Sequence, residues 1–225
     1  MKLQKKLSAA EKLVEVAGPL LADRPFASVS TREIAKTAHV NLSAISYHFG
    51  SKEGLYQAVF EKLIADLKPA RDGFRTFLEA GTTAAKDSPG MQREVIRTFI
   101  SAFIDALLSD ENPQWRMRLI MREIHQTGPC FDMVMQQHID VMHDLLGSLI
   151  AVVIQKPVRD PSVILMSHSI LGLCLQYALS ESLISHRLNW DGYDVQKLDM
   201  IKNETVSMVF AMLGLSRPDP KEGKS

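Results

Sequence analysis

Two cysteines, Cys130 and Cys174, occur in 225 residues, and they stand at no metal-binding or redox spacing. That excludes a disulfide framework, a zinc finger and a dithiol redox centre, and each thiol reads as a small apolar filler in a reducing compartment. Strand patterning is missing as well, since no stretch sustains an alternation of apolar and polar residues. The opening MKLQKKLSAAEKL lacks an uninterrupted apolar core with a small-residue cleavage site, so no signal peptide is read there. The most apolar run, Leu145 to Ile154, falls short of the roughly 20 residues that span a bilayer. A cytoplasmic chain with no membrane partner is expected. Nucleophile elbow, phosphate loop and HExxH are all absent, and Ser46, Tyr47 and His48 are helix neighbours that do not face one another. No enzyme and no cofactor are expected.

Net charge is lacking too, with 26 basic and 26 acidic residues, but the balance hides an uneven distribution. Residues 1–55 carry eight Lys/Arg against five Asp/Glu, and the rest carries 18 against 21. A mildly basic head on a mildly acidic body suits a small module that contacts nucleic acid, although many proteins show an asymmetry of this size.

What is present is helical periodicity almost everywhere, and 46 % hydrophobic residues to build a core. The chain reads as all-α. Ser8 and Glu11 form a capping box for helix 1, whose stripe is Leu13, Ala17, Leu20 and Leu21. Gly18-Pro19 inside it predicts a kink, and the helix ends before Pro25. Ser30 and Glu33 predict a second capping box, with Val29 and Ile34 as its hydrophobic staple. Asn41 caps helix 3, where Leu42, Ile45 and Phe49 point inward and Ser43, Ala44 and Tyr47 point the opposite way. Gly50 ends it and Ser51 caps helix 4. A lysine at position 52, in the first turn, opposes the helix dipole and makes sense beside a phosphate; a solvated lysine is the ordinary alternative.

The segment TREIAKTAHVNLSAISYHFGSKEGLYQAVF resembles the helix-turn-helix head of the TetR family of bacterial regulators. The resemblance covers Ala9 to Phe60, with Ile34-Ala35, Ala38, Val40, Tyr47, Phe49, Ser51-Lys52 and Leu55 in register. His39 stands where the family turn has glycine, Pro25 where a glycine follows helix 1, and Ser46 where an aromatic residue is common. The family implies a homodimer on a palindromic double-stranded operator, each helix 3 in a major groove one turn from the other. By this resemblance Thr31, Arg32, Tyr47, His48 and Lys52 hold phosphates, while Ser43 and Ala44, with Asn41 or Leu42, face base edges. The basic arm of Lys2, Lys5 and Lys6 is either a further DNA contact or a frayed tail.

The expected architecture is a three-helix head over 1–52, joined by helix 4 (52–67) to a helical ligand-binding and dimerisation domain over 68–215. A disordered tail, 216–225, follows, and the total is about nine helices. Pro69 marks the boundary. Beyond it helices are expected near 71–84, 89–108, 113–125, 131–155, 161–186 and 193–213. The penultimate one is apolar nearly all round between Ile170 and Leu179, which predicts burial on every side. In the family the last two helices pair with their copies as a four-helix dimer interface. MREIHQTGPCFDMVMQQHIDVMHDLLGSLI, then SHSILG and LNW, resembles the CerR-type C-terminal domain of one TetR branch.

Eleven methionines suit either an adaptable apolar pocket or a gap-filled core. Candidate ligand-lining residues are Phe103, Trp115, Met121, His125, Phe131, Met135, Cys174 and Tyr177. Arg118 and Arg122, one turn apart, are either an anion clamp or ion-pair partners. His138 and His143 are five apart and diverge on a helix, so no metal site is expected. The reading that follows is a sequence-specific regulator, a homodimeric repressor released from its operator by an unknown small-molecule inducer. The alternative is a helical carrier or enzyme whose N-terminal motif is only structural.

Overall fold

In the computed structural model, residues 7–108 and 113–215 are described, and no strand occurs among them. The basic arm and the C-terminal tail lie outside the described residues. Helices run α1 Ala9–Asp23, α2 Thr31–Thr37, α3 Ser43–Phe49, α4 Lys52–Ala85, α5 Pro89–Leu108, α6 Gln114–Gln126 and α7 Phe131–Val134. After a π-helical turn, Met135–Ile139, come α8 Asp140–Ile154, α9 Pro161–Leu179, α10 Glu181–Leu188 and α11 Val195–Met212. The all-α expectation holds.

The caps explain where most helices begin. Ser8 and Glu11 close a reciprocal box on α1. Ser30 Oγ accepts from Glu33 N at 3.1 Å, but the Glu33 carboxylate is not its reciprocal partner. It pairs with Arg24 instead, because a charged donor outcompetes a neutral backbone N–H. At α3 the Asn41 side chain holds Ser43 N at 3.0 Å. Asp160 and Asp194 cap α9 and α11 in the same way.

Two expectations about helix bounds change. Pro69 does not end α4, which continues through it to Ala85 in place of two helices. Proline removes one intrahelical donor. Residues 68–70 and Ala65 are exposed, so water satisfies the carbonyl that loses its partner. As expected, α1 runs through Gly18-Pro19 and ends at Asp23, before Pro25. The penultimate helix instead stops early, at Leu179, and Ser180 with φ −123° separates it from α10. Its surroundings also differ from the expected burial on every side, since Gly172, Gln176 and Leu179 are exposed.

The chain divides into two units. One comprises Met1–Pro69 with Pro113–Ile139, the other Ala70–Asn112 with Asp140–Ser225. The core of the first unit gathers Leu13, Ile34, Ile45, Leu55 and Phe60 with Leu119, Ile120 and Val134, so α6 and α7 complete the hydrophobic interior of the N-terminal helices. In the second unit α9 packs on α8, and α5 packs on α9 and α11. By length and composition alone, Phe131–Ile154 and Pro161–Leu179 are apolar enough to cross a membrane. Here α8 and α9 put apolar side chains such as Leu146, Leu149, Ile150 and Ile170 into a buried core.

Candidate nucleic-acid interface

The α2–α3 pair is held from beneath and polar above. Ile34, Ala35, Ala38 and Ile45 are buried, and Val40 and Phe49 pack against the same core. His39 takes φ 54° at the joint, the left-handed conformation that histidine tolerates better than most residues, so the turn survives without its glycine. Gly50 closes α3 at φ 74°, a conformation that a Cβ would strain.

On the outward side Tyr47 is 84 % exposed, whereas Ile45, two residues earlier, is 2 % exposed. Arg32, Asn41, Ser43 and His48 are exposed beside it, and Thr31 is half-buried. The Tyr47 and His48 rings meet edge to face, 4.8 Å apart at 79°. Two residues depart from their expected orientation. Leu42, placed inward by the helical wheel, is 41 % exposed, because α3 begins only at Ser43 and Leu42 precedes its regular face. Ala44, expected outward, is half-buried against the core.

Asn41 Oδ1 accepts from both Ser43 N and Ser43 Oγ, the latter at 2.9 Å. The serine proton is thereby committed, which leaves Ser43 Oγ as an acceptor and the Asn41 amide N–H groups as donors. A fixed donor–acceptor pair thus stands at the start of α3.

Lys52 is not simply solvated. Its ammonium donates to the Phe26 carbonyl and lies 4.0 Å from the centroid of the Phe26 ring. Only part of its three-donor capacity is used, and the charge is fixed beside the first turn of α4.

Helix α6 is fastened to the same unit by charge. Arg122 donates to the Leu21 carbonyl, to Ala22 O at 2.7 Å and to Arg24 O at 2.8 Å, and so closes the C-terminus of α1. Arg118 pairs with Asp23 at 2.7 Å and Arg116 with Asp66 at 3.0 Å. The two arginines considered as an anion clamp are therefore occupied within the chain. Trp115 lies over α1 where a Cβ on Gly18 would stand 2.5 Å from its ring, so the small residue serves close approach. Below them the Glu123 carboxylate accepts from Tyr56 OH at 2.6 Å and from Cys130 N. Burial first, then the Glu123 hydrogen bond, raises the Tyr56 pKa; burial and the same carboxylate push the Cys130 thiol up to about 12.

The expected ligand-lining residues fall into both units. Trp115, Met121, Phe131 and Met135 are half-buried in the first, and His125 is exposed there. Phe103, Cys174 and Tyr177 belong to the second, where Phe103 stacks on Phe99 at 5.5 Å and meets Phe74 at 5.8 Å. A cleft of about 470 Å³ opens in that unit between α4 and α8, lined by Leu78, Thr82, Val141 and Leu145 among others, with none of these eight residues on its wall. No cluster of His, Cys, Asp or Glu suited to a metal occurs among the described residues. Sequence reasoning passed over Arg71 on α4, an arginine only 8 % exposed; one charge among the many on α4 carries no periodic signal of burial.

The model of the bacterial TetR regulatory proteins matches residues 13–59, and that of the C-terminal domain of the HTH-type transcriptional dual regulator CecR matches residues 92–215. CecR of Shigella flexneri is 33 % identical over 183 residues, 80 % of this chain and 80 % of its own length. The chain belongs to the TetR family. The branch anticipated under the CerR label is that of CecR. A TetR-like regulator from Rhodococcus sp. RHA1 shares the fold with a TM-score of 0.60 at 16 % identity, covering 95 % of this chain and 100 % of that one. AibR, solved with isovaleryl coenzyme A and operator DNA, does so with a TM-score of 0.55 at 18 % identity over 90 % of this chain and 98 % of its own. As a TetR-family protein the chain is a DNA-binding transcriptional regulator, and α2–α3 is its helix-turn-helix.

Proposed function

We propose that this TetR-family regulator is a cytoplasmic homodimeric repressor that a small-molecule inducer releases from a palindromic operator. The observation that carries the DNA-binding part is the two-sided α3, with Ile45 at 2 % and Tyr47 at 84 % exposure. Thr31, Arg32, Tyr47, His48 and Lys52 hold phosphates, which fix orientation. Asn41 and Ser43 read bases as a donor and an acceptor, with Leu42 as an apolar contact and Ala44 set behind them. With no Arg or Gln on α3, DNA shape shares the discrimination.

Support for the homodimer comes from α9 and α11. Leu165, Ser169, Gly172, Gln176 and Leu179 recur at four, three, four and three, and all are exposed. Met200, Met208 and Met212 form a similar exposed stripe on α11. Small residues at the middle of an apolar stripe let a second helix approach closely, which suits a copy of the same surface. Support for ligand control comes from α4, one helix whose first residues belong to the first unit and whose last belong to the second. A ligand that favours one placement of α4 shifts the spacing of the two heads by its differential affinity. AibR is seen with both an acyl coenzyme A and operator DNA.

Fragments of the source genome, selected for binding, supply the operator, and affinity is then measured across salt. Lys52→Ala is expected to flatten the dependence of log affinity on log salt by about 0.9, one phosphate contact. Tyr47→Ala is expected to weaken binding about fivefold, roughly the 1 kcal/mol of one hydrogen bond, with the slope unchanged. Affinity that ignores salt, or two variants that bind like the wild type, would remove the phosphate assignments. The designation of CecR as a dual regulator favours a second reading, in which the same head activates some promoters. Reporter fusions to each selected fragment separate the two.

A further inference from the structure

We propose that Arg71 anchors the acidic group of an amphipathic organic anion, whose apolar part lies in the cleft between α4 and α8. The proposal rests on the reading of the chain as a ligand-responsive regulator and names the chemistry of that ligand.

Arg71 is 8 % exposed, and its Nη1 is buried without a hydrogen-bond partner among the described residues. A guanidinium cannot shed its charge to escape burial, so a dehydrated arginine calls for an anion. The other arginines of interest already have partners: Arg75 with Glu79 at 3.8 Å, Arg116 with Asp66, Arg118 with Asp23, and Arg122 with the end of α1. Arg71, Arg75, Leu78 and Thr82 recur at four, three and four, which places them on one face of α4. The last three line the cleft, so Arg71 stands one turn from its edge on the same stripe. Thr82 Oγ1 is a second buried polar atom without a partner.

The cleft determines the remainder of the ligand. Leu78, Val141 and Leu145 supply apolar wall, and Thr82, Thr83 and Ser148 add hydroxyls to it. Glu79 and Asp144 are exposed on the rim, and Glu79 lies 3.8 Å from Arg75, which leaves Arg71, among the described residues, as the cation of the α4 stripe without a carboxylate beside it. A carboxylate or a phosphate satisfies a guanidinium equally well in geometry, each through two parallel N–H···O bonds.

The test uses the full-length protein and four probes with a ten-carbon chain: sodium decanoate, decyl phosphate, decanol and decyltrimethylammonium. Thermal midpoints are read against probe concentration, for the wild type and for Arg71→Met, which deletes the charge at similar length. Decanoate or decyl phosphate is expected to raise the wild-type midpoint, the stronger of the two identifying the acidic group, whereas decanol and the cation leave it unchanged. Arg71→Met is expected to bind the anion at least tenfold more weakly. Without probe it is expected to keep or raise the midpoint, since it removes a charge that has no partner. No response of the wild type to either anion overturns the proposal, as does equal binding of the neutral or cationic probe. A lower midpoint of Arg71→Met without probe also overturns it, because Arg71 would then be paired inside the protein. Operator binding without probe, measured in parallel, judges the regulator reading separately: its loss leaves the thermal result intact.

Discussion

Glu123 is a carboxylate at 2 % exposure, and its two oxygens are served by two donors, Tyr56 OH and Cys130 N. A carboxylate in an apolar core is tolerated when its lone pairs are met by such donors, and costs several kcal/mol when they are not. The same carboxylate, together with burial, suppresses ionisation of the Cys130 thiol, while burial alone raises Cys174 to about 12. The thiolate is the reactive form, so neither cysteine should react with a thiol reagent at pH 8 in the native protein, and both should react in denaturant. Their folded pKa values lie above the unfolded value of roughly 8.5, so the thiols' contribution to stability is full below that pH. As pH rises toward 12 the unfolded chain loses its protons first and stability falls. Rapid labelling of two thiols in native protein at pH 8 would refute this. Cysteine spacing was enough to read both residues as buried fillers. The Tyr56 hydroxyl that shares Glu123 with Cys130 was not legible, because Tyr56 and Glu123 are 67 residues apart and only the fold brings them together.

At the scale of elements, the first three helices were the most legible part of the chain. Their caps are local chemistry, complete within four residues, and Ser8, Ser30, Asn41 and Gly50 act where their side chains or their lack of one predict. The role of α6 was hidden, since it fastens to α1 over a separation of about a hundred residues. Arg122 supplies the donors that the C-terminal carbonyls of α1 lack. Arg122→Ala is expected to cost about 2–3 kcal/mol, the worth of charge-assisted hydrogen bonds, by chemical denaturation. Arg122→Lys should recover only part, because an ammonium does not span several carbonyls as a planar guanidinium does. Wild-type stability of Arg122→Ala would mean that water replaces the arginine without loss. The length of α4 was misread for the opposite reason: Pro69 is a strong local stop signal, and solvent exposure at 68–70 overrides it.

At the scale of the whole molecule, two continuous helical stretches pass from one unit to the other, and each is irregular where it crosses. Pro69 interrupts the hydrogen bonding of α4 beside the boundary at Ala70, and the π-helical turn Met135–Ile139 ends at the boundary before Asp140. In the proposed homodimer, the exposed stripe of α9 in the second unit is the surface offered to a second copy. A single copy leaves Ile164 at 50 %, Leu165 at 65 % and Leu179 at 44 % exposure on α9, and exposed apolar residues grouped on one helix mark a contact surface. Leu165→Arg places a charge where the stripe would be buried against its copy. An uncompensated buried charge costs about 3 kcal/mol or more, roughly a hundredfold in the dimer dissociation constant. The expected result is a monomer by light scattering at concentrations where the wild type is a dimer, with helical circular dichroism unchanged. Operator affinity should fall with it, since the two heads no longer engage their half-sites together. A Leu165→Arg protein that stays dimeric and binds its operator normally would place the subunit contact elsewhere.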